Sequence, residues 1–307
     1  MTDLTLTGVS RWYGNVVAVN DVTMSIRPGV TGLLGPNGAG KSTLIAMMAG
    51  FLAPSAGDIR LGEAPVWRNV GAYRDLGLVP EREVSFSYLT GRAFVQATAE
   101  LHRLADPRAA TARALAEVDL VDAADRPIST FSKGMRQRAK LASALVHEPT
   151  VLLLDEPFNG VDPRQRMHLM ELLTRMGEQG RTVLFSSHIL EEVEQIARQI
   201  EVVVSGRHAA SGDFGAIRRL MTDRPSHYVV RSSDDRGLAS MLMGLGGVRS
   251  VALGRVGTGE AITVEVTDMG EFTLALPRLA RSAGITVREL APSDESLESV
   301  FTYLVQS

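Results

Sequence analysis

Eight consecutive residues offer the clearest chemistry in the chain: Gly35-Pro36-Asn37-Gly38-Ala39-Gly40-Lys41-Ser42. They fit the spacing G-x-x-x-x-G-K-[ST], and Thr43 follows directly. Glycines at those positions let backbone N–H groups curl around phosphate oxygens with no side chain in the way. A helix opening at the end of the loop aims its positive end at the same anion. Lys41 adds a mobile charge for the outer phosphates, and Ser42 offers a hydroxyl to Mg²⁺. Far downstream, Val151-Leu152-Leu153-Leu154-Asp155-Glu156 reads as a buried strand ending in two acids. Ligands of open parallel sheets sit at the carboxyl ends of the strands, so these acids are expected beside the phosphates. Asp155 suits Mg²⁺, held mostly through water, and Glu156 suits polarising a water that attacks the terminal phosphate. The two signals together imply a Mg-nucleotide site.

The rest of the chain must position those groups. Its 307 residues exceed one ordinary domain, and 45% hydrophobic with 22% charged residues is globular composition. With no cysteine, disulfides, thiolate-held clusters and a Cys nucleophile are excluded. The net charge of −3 implies no general polyanion-binding surface, so nucleic acid is not an expected partner. The only lysines are Lys41, Lys133 and Lys140 among many arginines, which makes each lysine position informative. No apolar run has the length of a membrane span, and the first residues alternate like a strand rather than a signal peptide. A cytoplasmic chain is expected.

Short strands are predicted over Leu4–Val9, Val22–Ile26 and Val30–Leu34, then a helix over Ser42–Ala49. Residues 90–119 are helical in pattern, with Pro107 opening a second helix, and another helix spans about 134–147. Val151–Leu154 and Thr182–Phe185 are apolar strands, each followed by a helix. Strands alternating with helices predict an α/β fold, its mostly parallel sheet covered on both faces. The pattern changes near Met221–Ser226. Beyond it come strand 226–232, helix 235–245, strands 248–254 and 261–267, helix 270–283 and strand 285–291. That βαββαβ order predicts a small α+β, ferredoxin-like domain over 221–307. A terminal helix follows, with Leu297, Val300, Phe301 and Leu304 on one face. Glu271, Asp294 and Glu295 read as solvated helix-start charges, and Asp268 with Glu271 as a helix cap.

Phe131-Ser132-Lys133-Gly134-Met135-Arg136-Gln137-Arg138 lies shortly before the paired acids. A serine and a glycine at a helix start make a second anion cradle, or an ordinary capped helix. This octapeptide is similar to the signature motif of the ATP-binding cassette (ABC) ATPases, and residues 1–220 resemble that family, with a helical subdomain at about 82–147. The resemblance implies a P-loop cassette with antiparallel N-terminal strands. It implies a dimer in which two ATP molecules are sandwiched and Ser132 and Gly134 contact the terminal phosphate in trans. Tyr13 matches the aromatic that stacks on adenine, although a tyrosine in a strand also packs. His188, following Thr182-Val183-Leu184-Phe185, resembles the switch histidine at the terminal phosphate. Asn159-Gly160-Val161-Asp162 matches the loop crossing the dimer interface, so Asp162 joins the nucleotide-binding set. Glu81 stands where the family has glutamine. A carboxylate there reaches Mg²⁺ or the attacking water while adding negative charge, a variant of the exporter-type branch. Lys133 replaces a usual glycine of the signature, which the same branch tolerates.

These resemblances imply an ATPase subunit, homodimeric and peripheral on the inner membrane face, driving export through a separate permease. The stretch Arg82–Leu89 would dock on that permease, with Phe86 and Tyr88 as anchors or else as core of the helical subdomain. Ser296-Leu297-Glu298-Ser299-Val300-Phe301 resembles the ending of drug, antibiotic, lipid or polysaccharide export ATPases. The last domain is expected to steady the dimer or regulate it. Two alternatives stay open: import by the same cassette chemistry, and a soluble ABC ATPase acting on nucleic acid or the ribosome. A small-molecule kinase would leave the signature and His188 unexplained.

Overall fold

The computed structural model describes residues 3–82, 86, 88–217, 226–256 and 259–292. The pattern change over 221–225, the terminal stretch 293–307 with its expected helix and ending, and Glu83, Val84, Ser85 and Ser87 lie outside the described residues. Packing divides the chain into two compact units between Phe214 and Gly215.

The first unit opens on a hairpin of β1 (Leu4–Tyr13) and β2 (Val16–Ile26), with Tyr13 paired to Val16 and Gly14 at φ +59° in the turn. Both strands run further toward the turn than their sequence suggests. Register shifts between Leu6 and Val9, and again at Arg11, break the alternation that marks a strand. With β4 (Ala56–Leu61) and β5 (Ala64–Pro65) they form an antiparallel sheet in the order β2-β1-β4-β5.

The second sheet carries the site. It comprises β3 (Gly29–Leu34), β6 (Leu76–Val79), β7 (Val151–Leu154), β8 (Thr182–Ser187), β9 (Gln199–Val204) and β10 (Arg207–Gly212), in the order β10-β9-β3-β8-β7-β6. All neighbours are parallel except β10 on β9. Strands β7 and β8 are buried along their whole length, as strands covered on both faces must be. Helix α1 (Lys41–Met48) lies between the two sheets. Its Leu44, Met47 and Met48 share one core with Leu6, Val22 and Ile26 of the first sheet and Leu33, Leu153 and Leu184 of the second. The helix that ends the glycine loop is therefore held from both sides.

After α2 (Val70–Tyr73), three helices pack on one another: α3 (Gly91–Leu101), α4 (Pro107–Glu117) and α5 (Lys133–Leu145). Each starts on a side-chain cap, from Thr90, Asp106 and Ser132 in turn, and Pro107 takes the first helical position of α4. Helices α6 (Pro163–Glu178) and α7 (Leu190–Ile196) lie against β3.

A cavity of about 360 Å³ opens beside Phe51, Tyr73, His102 and His147. The two imidazoles stack with centroids 3.8 Å apart, and a ring nitrogen of His147 lies 3.0 Å from the Leu76 carbonyl. Burial, then the neighbouring His102, pushes His147 down to about 4 from 6.5, against the opposing pull of the Leu76 carbonyl and Asp75. Between those two values the unfolded chain binds the proton and the folded chain does not. Stability is therefore expected to fall as pH drops from 6.5 toward 4. Melting curves across that range should show wild type losing a few degrees more than His147→Leu; parallel pH profiles would refute the assignment.

In the second unit the chain runs β11 (Ser226–Ser232), α8 (Asp235–Leu242), β12 (Val248–Val256), β13 (Gly259–Val266), α9 (Met269–Ser282) and β14 (Val287–Pro292). The strands lie in the order β12-β13-β11-β14 with every neighbour antiparallel. Val230, Ile262 and Val264 form its core with Leu238 and Leu242 of α8 and Phe272 and Leu276 of α9. Asp268 caps α9 by accepting from the backbone N–H of Glu271.

Candidate functional site

The site lies where β3, β7 and β8 end, outside their carboxyl termini. The glycine loop leaves β3 and turns into α1 through Gly40, which sits at φ +100°. A Cβ there would lie 2.5 Å from the Ala18 carbonyl oxygen, and one on Gly35 would collide with the Val203 carbonyl. Only glycine allows the loop to pass this close to neighbouring backbone. Lys41 is 6% exposed. Its ammonium donates to the carbonyls of Gly35 at 2.8 Å and Pro36 at 3.2 Å, so it folds back across its own loop.

The same ammonium lies 3.2 Å from Glu156 Oε1. The other carboxylate oxygen of Glu156 lies 3.0 Å from His188 Nδ1. One nearly buried carboxylate thus bridges a lysine from the end of β3 and a histidine from the end of β8. Glu156 reaches this position through a left-handed backbone at φ +47°, a conformation that costs a non-glycine residue on the order of 1 kcal/mol. Ser186 supports the turn: its hydroxyl accepts from the Glu156 N–H and donates to Asp155 Oδ1, both at 2.8 Å. Asp155, at the end of β7, is 7% exposed.

His188 is held in turn. Ser187 Oγ accepts from the Ile189 N–H at 2.9 Å and donates to Glu192 Oε2 at 2.7 Å. Glu192 is buried, and its other oxygen pairs with Arg166 of α6 at 3.3 Å. A polar chain thus links α6 to the residue preceding the histidine.

A cavity of about 510 Å³ opens between the loop and Glu156. Asn37, Gly38, Ala39, Gly40, Lys41, Ser42 and Thr43 line one side, and Glu81, Glu156, Asn159 and His188 the other. Gly35 and Pro36 instead hold Lys41 through their carbonyls. Five more expected residues lie outside that lining: Asp155, whose Oδ1 accepts from Ser186, and four others. Ser132 caps α5 by accepting from the Met135 N–H at 3.2 Å, and Asp162 caps α6 by accepting from Gln165. Gly134 packs α5 on α6, where a Cβ would lie 2.9 Å from that of Gln165. Tyr13 is 48% exposed at the hairpin tip, with the Arg11 guanidinium 4.7 Å from its ring centroid. Phe86 and Tyr88, beyond Glu81, are exposed and meet edge to face at 6.4 Å, so the core role open to them does not apply.

Ser42 and Glu81 line this cavity, and Asp155 ends β7 beside Glu156; all three carry oxygen donors, the type that suits a hard cation such as Mg²⁺. Among the described residues no cluster of three or more His, Cys, Asp or Glu could cage a metal alone.

Sequence reasoning missed Ser186, Glu192, Arg166 and Lys140. The signal for the first two was local: Ser186-Ser187 interrupts an otherwise apolar strand just before His188. Arg166 and Lys140 are ordinary helix residues by pattern, and only the neighbouring elements give them partners.

A sequence profile described as ABC transporter matches residues 19–159. The daunorubicin resistance ATP-binding protein of Streptomyces coeruleorubidus is 34% identical over 99% of this chain and 96% of its own. The bacitracin transport ATP-binding protein of Enterococcus faecalis is 30% identical over 97% of this chain and 94% of its own. A solved ATP-binding subunit of an ABC transporter superposes with a TM-score of 0.63 at 30% identity, covering 70% of this chain and 92% of that one. Among the described residues, no helix is long and apolar enough to cross a membrane. With the glycine loop, Glu156 and His188 lining one cavity and relatives matching over nearly the whole chain, the chain belongs to the ABC transporter family as an ATP-binding subunit that hydrolyses ATP.

Proposed function

We propose that this chain forms a cassette dimer around two Mg-ATP and drives export through a separate membrane permease. One observation carries the export reading: resemblance to a resistance and a transport ATP-binding protein runs through nearly the whole chain, second unit included. The exposed pair Phe86 and Tyr88, directly beyond Glu81, supports docking of that segment on the permease. The chain would then lie on the cytoplasmic membrane face, held there by its partner.

In this reading the loop backbone and Lys41 bind the phosphates, and Tyr13 stacks on adenine. Ser42, Asp155 and Glu81 hold Mg²⁺, directly or through water. When bound, that ion would neutralise charge on the outer phosphates. Glu156 accepts a proton from the attacking water, and His188 fixes the carboxylate at its other oxygen while facing the terminal phosphate. Ser132 and Gly134 complete the partner cassette's site, and Asp162 carries the interface loop. The domain boundary falls between residues 214 and 221, and the second unit steadies the dimer.

The test is an affinity pull-down of the full chain from detergent-solubilised membranes of its own organism, read by mass spectrometry. A polytopic membrane protein in comparable amount is the expected result. Ribosomal or DNA-repair proteins with no membrane partner would overturn the transport reading.

A further inference from the structure

Lysine is rare in this chain, and all three line cavities that share Glu81, Glu156 and Asn159. Lys41 serves the phosphate loop. Lys133 lies along the interface loop, its ammonium against Gly160. Lys140 has no role in the chemistry derived so far, yet it is only 8% exposed. From the middle of α5 its Nζ donates to three successive backbone carbonyls: Pro80 at 2.6 Å, Arg82 at 3.2 Å and Glu81 at 3.4 Å. Those residues are the loop that leaves β6.

The chemistry explains the residue type. Three carbonyls converging on one point suit a compact ammonium with three rotatable donors. They suit a planar guanidinium poorly. An ammonium this buried persists only when its donors are met. Fixing the peptide planes on either side of Glu81 also fixes where its side chain departs. Glu81 lines the phosphate cavity and a second cavity of about 120 Å³ that Lys140 itself lines, and Glu156 and Asn159 line both. The helix holding the loop is the one whose start bears Ser132 and Gly134.

We propose that Lys140 is a positioning residue. It ties the Glu81 loop to α5, so that Glu81 is held toward the phosphates and moves with the signature helix. This rests on the reading of Glu81 as a group acting at the nucleotide.

The test uses the full chain. Steady-state ATP hydrolysis is measured for wild type, Lys140→Met, Glu81→Ala and the double variant, with amide hydrogen exchange of the peptide Leu76–Arg82. Lys140→Met is expected to lower kcat about tenfold with KM within about twofold, the scale of losing hydrogen bonds from a charged donor. In the Glu81→Ala background the same change should shift kcat by less than about twofold. Exchange in the peptide should rise about tenfold while α1 is unchanged. Lys140→Arg, which keeps the charge but not the three-way geometry, should fall between wild type and Met and serves if the Met variant does not fold. Equal falls in both backgrounds, or unchanged exchange, would overturn the positioning role alone. Wild-type turnover by Glu81→Ala, with the Lys140→Met loss persisting there, would instead overturn the reading of Glu81 and the proposal with it.

Discussion

Glu156→Gln should bind ATP about as well as wild type and hydrolyse it on the order of 10²–10³ times more slowly. The amide has the size of the carboxylate, so the cavity keeps its shape. It cannot take a proton from water, which removes the base. The structure adds a second reason. The Glu156 carboxylate neutralises Lys41 at 3.2 Å, competing with any phosphate for that ammonium. With the charge gone, Lys41 faces the polyanion unopposed, and affinity should hold or rise even as turnover falls. Equilibrium binding of labelled ATP alongside phosphate release separates the two effects. Turnover within about twofold of wild type would remove Glu156 from the role of base.

The second large effect is expected from Lys41→Met, which should weaken ATP binding at least about 100-fold if, as proposed above, this ammonium meets the outer phosphates. A stability loss of about 1–3 kcal/mol should accompany it. The side chains of Lys41 and Glu156 are 6% and 9% exposed, so removing the cation leaves a buried carboxylate whose remaining side-chain partner among the described residues is His188. The double variant Lys41→Met/Glu156→Gln tests this directly, because it removes the stranded charge without restoring the phosphate contact. Its melting temperature should return toward wild type while ATP binding stays lost. A double variant as unstable as Lys41→Met would mean that the loss comes from the bonds to Gly35 and Pro36 instead.

The two effects differ in how far the sequence announces them. Glycine spacing, a lysine and a hydroxyl at fixed offsets belong to one short segment, and so does an apolar strand closing on Asp155-Glu156. Local sequence sets local backbone there, so the phosphate loop, the buried strands and the βαββαβ order of the second unit are legible without a structure. The hairpin β1–β2 is legible only in part, because register shifts near Val9 and Arg11 erase the period-two signal.

Pairings between segments come from the tertiary structure. Lys41, Glu156 and His188 follow three strands, and they meet because β3, β8 and β7 are neighbours in the sheet. No periodicity within any one strand encodes that order. Ser186 between the two acids, Glu192 between Ser187 and Arg166, and Lys140 beneath the Glu81 loop arise in the same way. Residue types and their spacing nominate the groups that would bind and cleave a nucleotide phosphate. Strand order and helix packing decided which of them meet, because a buried charge finds its partner in space rather than along the chain.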